Sequence, residues 1–253
     1  MLKELPSART LIVTGLIIFL TGLIVQAPAR LVAMSFPEGV SVTGISGSIW
    51  NGSASGLAIG QLRLYEANWT INPLYLFIGS VKASVSASGN DADFSGDIRA
   101  SLTGNIELSD ARGFAGLGRL KSVLDLPVNG VASVDIETLA YSGNWLDALV
   151  GNIEVRNLTF FDPMTRKDIE LGNIQLTFDH PEVDDSGTLN GALKDADGPL
   201  SIEGDIRLDP PNSYALSADI RTRANADPAL RQGLDMMAPP TGGVHQLRIS
   251  SSF

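Results

Sequence analysis

The stretch QLRLYEANWTI, residues 61–71, decides the fold of this chain. Apolar residues stand at nearly alternate positions along it, and a period of two recurs in SVKASVSASG (80–89) and DIRASLTGNIELS (97–109). Alternate side chains of a strand point to opposite faces, so each run predicts a strand with one buried face. Turn-forming residues separate the runs at hairpin spacing. The sequence therefore predicts a mainly β protein of antiparallel strands.

The second half of the chain repeats this texture without a fixed period. Runs that begin with glycine and then alternate start at Gly130, Gly151, Gly172 and Gly204, and their starts are 21, 21 and 32 residues apart. Unequal spacing favours the successive strands of a meander over a strict solenoid repeat. Charges are sparse along the strands, which favours a long, curved β-sheet or a sandwich over a compact ligand cup.

Two short helices are predicted to interrupt the strands. Leucines recur at mostly helical spacing in GLGRLKSVLDL (116–126), which a proline ends. Further on, Asp227 is placed to cap a helix that has Pro228 at its first position and runs through 229–237. A last strand over 244–253 is then predicted to close the chain.

Residues 10–29, TLIVTGLIIFLTGLIVQAPA, contain no charged side chain. A helix of this length spans about 30 Å, the thickness of the hydrocarbon core of a bilayer. Lys3 and Arg9 precede the stretch and Arg30 follows it. Under the positive-inside rule, the N-terminus stays in the cytoplasm and the bulk of the chain is exported.

This pattern predicts three parts: a cytoplasmic N-terminus (1–9), a transmembrane anchor (10–29) and an exported β-rich domain (30–253). The alternative is a cleaved signal peptide, because Ala27-Pro28-Ala29 resembles a small-x-small cleavage site. The apolar run is longer than a usual signal-peptide core, and Pro28 stands inside the cleavage motif. An uncleaved single-pass anchor is therefore the prediction.

Composition excludes several classes of function. The chain has 18 Lys+Arg against 28 Asp+Glu, a net charge of −10, which argues against a nucleic-acid partner, since phosphate binding needs a basic patch. It has no cysteine, which excludes thiolate metal sites, thiol nucleophiles and disulfides.

Motifs of catalysis are also missing from the sequence. There is no Gly-x-Ser-x-Gly elbow, no Walker A loop and no His-Glu-x-x-His. The only histidines, His180 and His245, lack a metal-ligand neighbour at helical spacing. Asp179 and Glu182 flank His180, which is predicted to be an ordinary loop histidine. The prediction is a protein that is not an enzyme, with no catalytic residue, no metal and no cofactor.

One motif combines tryptophans with glycines near the start of the exported part. It lies in VTGISGSIWNGSASG (42–56) and continues in EANWTINPLYLFIGSV (66–81). Its residues are Gly44, Gly47, Trp50, Gly52, Trp69 and Pro73. With the preceding anchor that ends in Ala-Pro-Ala, this pattern resembles the type II secretion system protein N family, also called general secretion pathway protein N.

The resemblance covers nearly the whole chain, and its most specific part lies in 27–79. It implies a single-pass subunit of the bacterial inner membrane with a periplasmic β domain. Such a subunit contributes, without catalysis, to the export of folded proteins across the outer membrane. Its expected partners are other type II secretion system subunits and the inner membrane.

The sequence leaves two readings of this motif and two of the function open. Trp50 and Trp69 lie in alternating runs, which favours core anchors beside glycines over partner-binding hot spots. Asn51-Gly52 directly after Trp50 also predicts a hairpin turn. The alternative function is a membrane-anchored lipid-binding or lipid-transfer protein, because a curved sheet with an apolar inner face forms a groove for an acyl chain.

Overall fold

The computed structural model describes residues 22, 26–33, 39–59, 62–119, 128–162, 166–180 and 186–252. Within them the chain is mainly antiparallel β, as predicted, and its strands form a 13-stranded and a 3-stranded sheet. The small sheet contains β1 (Val40–Thr43), β4 (Gly56–Ile59) and β5 (Leu62–Leu64).

The large sheet is a meander over most of its width. From β6 onward, each strand pairs with the next strand in sequence up to β16, and β3 and β2 extend the sheet beyond β6. Its first strands are β2 (Ser46–Gly47), β3 (Asn51–Ala54), β6 (Glu66–Asn72), β7 (Ser80–Ser88), β8 (Ala92–Ser101) and β9 (Asn105–Gly116). The others are β10 (Val128–Ser142), β11 (Leu146–Asp162), β12 (Lys167–His180), β13 (Leu189–Asp197), β14 (Leu200–Asp209), β15 (Ser213–Thr222) and β16 (His245–Ser252).

Three of the predicted features differ in detail. The run 61–71 contains two strands, β5 and β6, which belong to different sheets and meet at Tyr65. The run 97–109 contains a hairpin, because β8 ends at Ser101 and β9 begins at Asn105. Asn51 and Gly52 begin β3 instead of forming the turn, which lies just before them, where Ser48 N donates to Asn51 O at 2.9 Å.

The chain crosses between the two sheets three times within a short span. It crosses after β1, after β3 and after β5, and the residues at these crossings are Gly44, Ser55 and Tyr65. Ser55 Oγ donates to Thr43 O at 3.4 Å, which ties two of the crossings together. The small sheet is thereby held against the first strands of the large sheet.

The helices are few in the described part of the chain. α1 (Arg30–Ala33) is a single turn, and α2 (Pro228–Met237) begins where the sequence predicts. Asp227 caps α2 by accepting a hydrogen bond from Ala229 N at 2.7 Å. There are also two 3-10 helices, η1 (Pro73–Ile78) and η2 (Leu117–Arg119), and η2 is what the structure describes of the helix predicted over 116–126.

Among the described residues, no helix is both long enough and apolar enough to cross a membrane. The anchor predicted over residues 10–29 lies largely outside those residues, as do Lys3 and Arg9 of its flank.

Two clusters of large apolar side chains form the core of the large sheet. The first joins strands β9 to β13 through Ala111, Ile136, Leu149, Phe178 and Leu189. The second lies under α2 and contains Leu200, Ile202, Ala218, Ile220, Ala226 and Leu230. In the second cluster, Leu200 with Ile202 and Ala218 with Ile220 occupy alternate positions of β14 and β15, which is the burial pattern that a period of two predicts.

A third, smaller cluster lies between the two sheets. Its buried members are Leu64, Ala87 and Ala92, and Leu57, Leu62, Ala67 and Ala115 pack against them. These residues come from both sheets, so the small sheet covers the apolar face of the first strands of the large one.

Candidate functional site

The site begins where the chain enters the β domain, just after the predicted anchor. Ala29 N donates to Gly47 O at 3.1 Å, and Ile49 N donates to Ala27 O at 2.9 Å. Pro28 forms a bridge with Ser48 between these bonds, and Ala29 is buried. The entering segment is thus fixed to the outer edge of the large sheet beside β2. Arg30, predicted to flank the anchor, follows as the exposed first residue of α1.

Two motif glycines shape the backbone at this edge. Gly44 has φ +63° at the crossing from the small sheet to the large one, and Gly47 has φ +84° at the end of β2. Left-handed φ values of this kind favour glycine, because a Cβ is strained there. At Gly47 a Cβ would also lie 3.0 Å from the Cα of Gly52 on the paired strand.

Trp69 and Gly52 face each other across β6 and β3. They are register partners, and a Cβ on Gly52 would overlap the indole of Trp69 and lie 2.9 Å from Ser48 O. The indole Nε1 of Trp69 donates to Ile49 O at 3.1 Å. Gly52 therefore provides the space in which the indole reaches the Ser48–Asn51 turn, so this tryptophan joins β6 to that turn.

Trp50 and Pro73 complete the corner. Trp50, half-buried, lies in the turn between β2 and β3, and its carbonyl accepts a hydrogen bond from Ile71 N at 2.7 Å. Pro73 is the first residue of η1, and Asn72 caps this helix by accepting from Leu74 N at 3.0 Å. The structure thus brings five of the six motif residues together in what we call the anchor corner, with Gly44 at the adjoining sheet crossing.

A large cavity opens beside this corner, between the two sheets. Its volume is about 620 Å³, within the range of small-molecule binding sites. The small sheet and β3 contribute Val42, Ala54, Leu57, Leu62 and Leu64 to its wall. The large sheet contributes Ala67, Asn68, Trp69, Ile71, Ala83, Val85, Ser86, Ala87, Ala92, Asp93, Phe94, Gly113, Phe114, Ala115, Ala132 and Val134.

The wall of this cavity is almost wholly apolar, and its floor is made of small residues. Ala83, Val85 and Ala87 occupy successive inward positions of β7, and the indole of Trp69 lies beside them on β6. Small side chains leave the space between the sheets unfilled, whereas leucines at the same positions would close it. An apolar wall of this kind favours a ligand whose enclosed part is apolar and uncharged.

The opposite face of the same strands is polar. Ser84 Oγ donates to Asp97 Oδ1 at 2.6 Å, and Lys82 Nζ lies 3.0 Å from Asp97 Oδ2. The hydrogen bond from Ser84, followed by that from Lys82, holds the pKa of Asp97 below its ordinary value. In turn, hydrogen bonding and attraction to Asp97 raise the pKa of Lys82. These contacts join β7 to β8, and the charge of Asp97 is paired with that of Lys82.

The histidines are placed at strand ends. His180, predicted to lie in a loop, is instead the last residue of β12, because the strand continues to pair with β11 there, and His245 is the first residue of β16. His245 is buried, and its Nδ1 lies 2.7 Å from Ala238 O, which joins the end of α2 to β16. In the described part of the chain, no group of three or more His, Asp or Glu side chains is arranged to hold a metal ion.

The sequence analysis did not identify the cavity or the exposed side chains of η1. The signal for the cavity was present as alanines at the inward positions of β6 and β7, where a filled core would carry larger residues. The signal for η1 was the run PLYLFI, whose apolar residues have no alternation that would bury one side.

Comparison with known proteins gives matches that cover most of this chain. The family model of the type II secretion system (T2SS), protein N, matches residues 38–248. The type II secretion system protein N of Vibrio cholerae serotype O1 (strain ATCC 39315 / El Tor Inaba N16961) is 23% identical over 234 residues, 89% of this chain and 90% of the relative. The protein of the same name from Aeromonas hydrophila is 24% identical over 242 residues, 90% and 91% of the two chains.

No solved structure matches this chain significantly. The family match nevertheless spans the small sheet, the anchor corner, the cavity and the large sheet as far as Arg248 in β16. This chain belongs to the type II secretion system protein N family.

Proposed function

We propose that this protein is a non-enzymatic subunit of a bacterial type II secretion system. In this proposal, residues 10–29 anchor it in the inner membrane with the N-terminus in the cytoplasm. The β domain then lies in the periplasm and docks other subunits of the machine, contributing to the export of folded proteins. The observation that carries the proposal is the family match over residues 38–248.

The anchor corner supports the docking role. It fixes the entering segment to the sheet through backbone hydrogen bonds at 27–29, and its half-buried Trp50 lies in a turn at the outer edge. Tryptophan is enriched among the residues that dominate protein interfaces. A partner in the same membrane would meet this edge first, because it is the part of the domain next to the anchor.

Photocrosslinking in intact cells tests this role. A photoreactive amino acid replaces Trp50 in the full-length chain, produced in cells that lack the native copy, and captured proteins are identified by mass spectrometry. We expect capture of other type II secretion subunits. Secretion of the exported proteins into the medium is measured in the same cells to show that the labelled chain functions.

Trp145 provides the matched control. It is also half-buried, and its Nε1 donates to Gly187 O at 2.6 Å, far along the chain from the motif. The same photoreactive residue at this position should capture none of the subunits. Equal capture from both positions, or none from Trp50 in cells that secrete normally, would contradict docking through the anchor corner.

The cavity favours a second function, the binding of a lipid acyl chain. A space of about 620 Å³ with an apolar wall has the chemistry of an alkyl chain, and burying such a chain is favourable by about 0.8 kcal/mol per methylene. The cavity lies next to the anchor corner, so the predicted inner membrane would be the nearest source of lipid.

Lipid retention tests this second function. Ala83→Phe places a large side chain in the cavity, whereas Thr70→Phe places it on the exposed outer face of the neighbouring strand. Full-length chains are purified, exchanged into lipid-free detergent and extracted, and retained lipid is measured by mass spectrometry. We expect the Ala83 variant to lose most of the lipid that the Thr70 variant keeps. Equal amounts in both variants would contradict binding in the cavity.

A further inference from the structure

One surface of the molecule exposes several large apolar side chains to solvent. In η1, Leu74 is 67% exposed, Phe77 88% and Ile78 71%, and Leu102 in the turn between β8 and β9 is 90% exposed. We call these four residues the apolar tip. Single exposed apolar residues are common, but a contiguous group of them marks an interaction surface.

The tip is one surface because the two turns that carry it are joined. Leu102 N donates to Gly79 O at 3.0 Å, directly after η1. A Cβ on Gly79 would lie 3.5 Å from Leu102 Cδ1, so the leucine side chain rests against the end of the helix. The four side chains therefore project from the same ends of strands β6, β7 and β8.

The helix η1, which carries three of the four tip residues, is fixed to the sheet by hydrogen bonds at its ends and on its inner side. Asn72 caps its start, and Gly79 N donates to Leu76 O at 3.1 Å at its end. On the inner side, Ser80 Oγ donates to Tyr75 O at 3.4 Å, and the Arg99 guanidinium lies 5.1 Å from the centre of the Tyr75 ring. These contacts fix the backbone of η1 while its apolar side chains stay outside, so their exposure is built into the fold.

The tip lies close to the point where the chain leaves the predicted anchor. Residues 27–29 bond to residues 47–49, β2 pairs with β3, and Trp50 O accepts from Ile71 N at the end of β6. Two residues later η1 begins. Neighbouring strands are about 4.8 Å apart, so three such steps place the start of η1 roughly 15 Å from residue 28. Residues 10–29 before it are uncharged and apolar.

The charges next to the tip pair with one another. Lys82 and Asp97 lie 3.0 Å apart, and Arg99 lies 3.5 Å from Glu107. This balance gives the surface no net sign with which to select a charged partner. The contact that remains is apolar, of the kind that side chains make when they enter the boundary between lipid head groups and acyl chains.

We propose that the apolar tip inserts into the lipid surface of the membrane that holds the anchor. The proposal rests on the anchor proposed above, because that anchor brings this end of the sheet to a bilayer. With the anchor as one attachment and the tip as a second, the large sheet is held at a fixed tilt to the membrane. The edge that carries η1 then faces the lipid.

Fluorescence quenching in vesicles tests the proposal on the full-length chain. The protein has no cysteine, so Phe77→Cys and Leu102→Cys each carry one fluorophore without background. The chains are reconstituted into phosphatidylethanolamine–phosphatidylglycerol vesicles in which some lipids bear a nitroxide near the head group. We expect several-fold stronger quenching at 77 and 102 than at a control position on α2, Met236. Added salt should not change the ratio of quenching at the tip to quenching at the control.

Met236→Cys is the matched control. Met236 is 79% exposed, similar to the tip residues, but it lies on α2 after β15, at the opposite strand ends of the sheet. Quenching at 77 and 102 no stronger than at 236 would overturn the proposal and leave the tip to a protein partner.

A label at Ile18→Cys, in the middle of the predicted anchor, separates this proposal from the topology on which it rests. Because the middle of a transmembrane helix lies about 15 Å from either head-group region, this label is measured in vesicles whose lipids bear the nitroxide deep in the acyl chain. Quenching at 18 without quenching at 77 and 102 overturns the tip and retains the anchor. Quenching at 77 and 102 without quenching at 18 supports membrane contact of the tip and overturns the anchor.

Discussion

The two halves of the β domain share one strand pattern and differ in what that pattern encloses. In the anchor-side half, strands β1 to β8, the buried apolar residues of the strands are Ala54, Leu64, Ala87 and Ala92. In the distal half, strands β9 to β16 with α2, they include Phe178, Leu189, Leu200, Ile202, Ile220 and Leu230. Alternation alone therefore does not determine whether the inner face forms a filled core or a cavity.

The difference lies in the size of the side chains and in what covers them. In the distal half, α2 places Leu230 and Leu234 on the strands beneath, and the side chains fill the space. In the anchor-side half, the small sheet covers residues too small to fill it, and about 620 Å³ remains. A filled half provides stability, whereas an unfilled half beside an exposed apolar tip is suited to contacts with other molecules.

The largest expected effect is loss of packing in the distal half. Leu189 is completely buried, so Leu189→Ala should destabilise the protein by about 3–5 kcal/mol. Leu102→Ala, at a position that is 90% exposed, should change stability by less than about 0.5 kcal/mol. Thermal unfolding of the full-length chain in detergent, followed by circular dichroism, gives both values. Similar losses from the two variants would remove the contrast between core and surface leucines.

One enlargement made in each half compares the two halves directly. Ala218→Leu adds atoms to a packed cluster and should cost about 1–3 kcal/mol. Ala83→Leu adds the same atoms at the cavity wall, where they meet empty space, and should cost less than about 0.5 kcal/mol. The same unfolding measurement applies. A cost at Ala83 as large as at Ala218 would show that the anchor-side half is as tightly packed as the distal one.

The cap of α2 should contribute a smaller amount. Asp227→Ala leaves Ala229 N without its partner and should destabilise the protein by about 1 kcal/mol. Asp227→Asn keeps a side-chain oxygen at the same place and should lose less. If both variants match the parent chain in chemical unfolding, the helix closes the distal core without help from its cap.

The smallest effect concerns Asp97 on the outer face. Its pKa is below the ordinary value, so it stabilises the fold above about pH 3.8, and this contribution is lost as the pH falls through its lowered pKa. Asp97→Asn should lower the unfolding temperature slightly at pH 7 and match the parent chain at low pH. Solvent screens this partly exposed pair, so the difference is small. A difference that grows on acidification would have the wrong sign.

Much of the fold was accessible from the sequence because the relevant signals are local. Alternation predicted the antiparallel strands, and Asp227 with Pro228 predicted where α2 begins. The turns were harder to predict. The alternation changes phase at Tyr65, where the backbone leaves one sheet for the other, and this shift was not read as a change of sheet. Leu102 continues the alternating pattern while the chain reverses, so side-chain period gives no information about that turn.

The sequence named the motif residues, but it did not predict how they are arranged, nor the cavity and the tip beside them. The motif named Gly52 and Trp69, but their contact follows from the register of β3 with β6, which pairs residues across an intervening excursion into the small sheet. The cavity depends on the distance between two sheets, and the tip depends on which side of η1 faces the solvent. Both are properties of tertiary packing that no short stretch of sequence contains.

The order of the strands also bears on how the protein is made. From β6 to β16, each strand binds the one that precedes it in the chain, so each new hairpin needs only residues that have already emerged. Pairing between strands that are neighbours in sequence closes short loops, which costs little entropy, and such local contacts speed folding. A chain that crosses a membrane from its N-terminal end could therefore assemble its sheet progressively, one strand at a time, without waiting for its last residues.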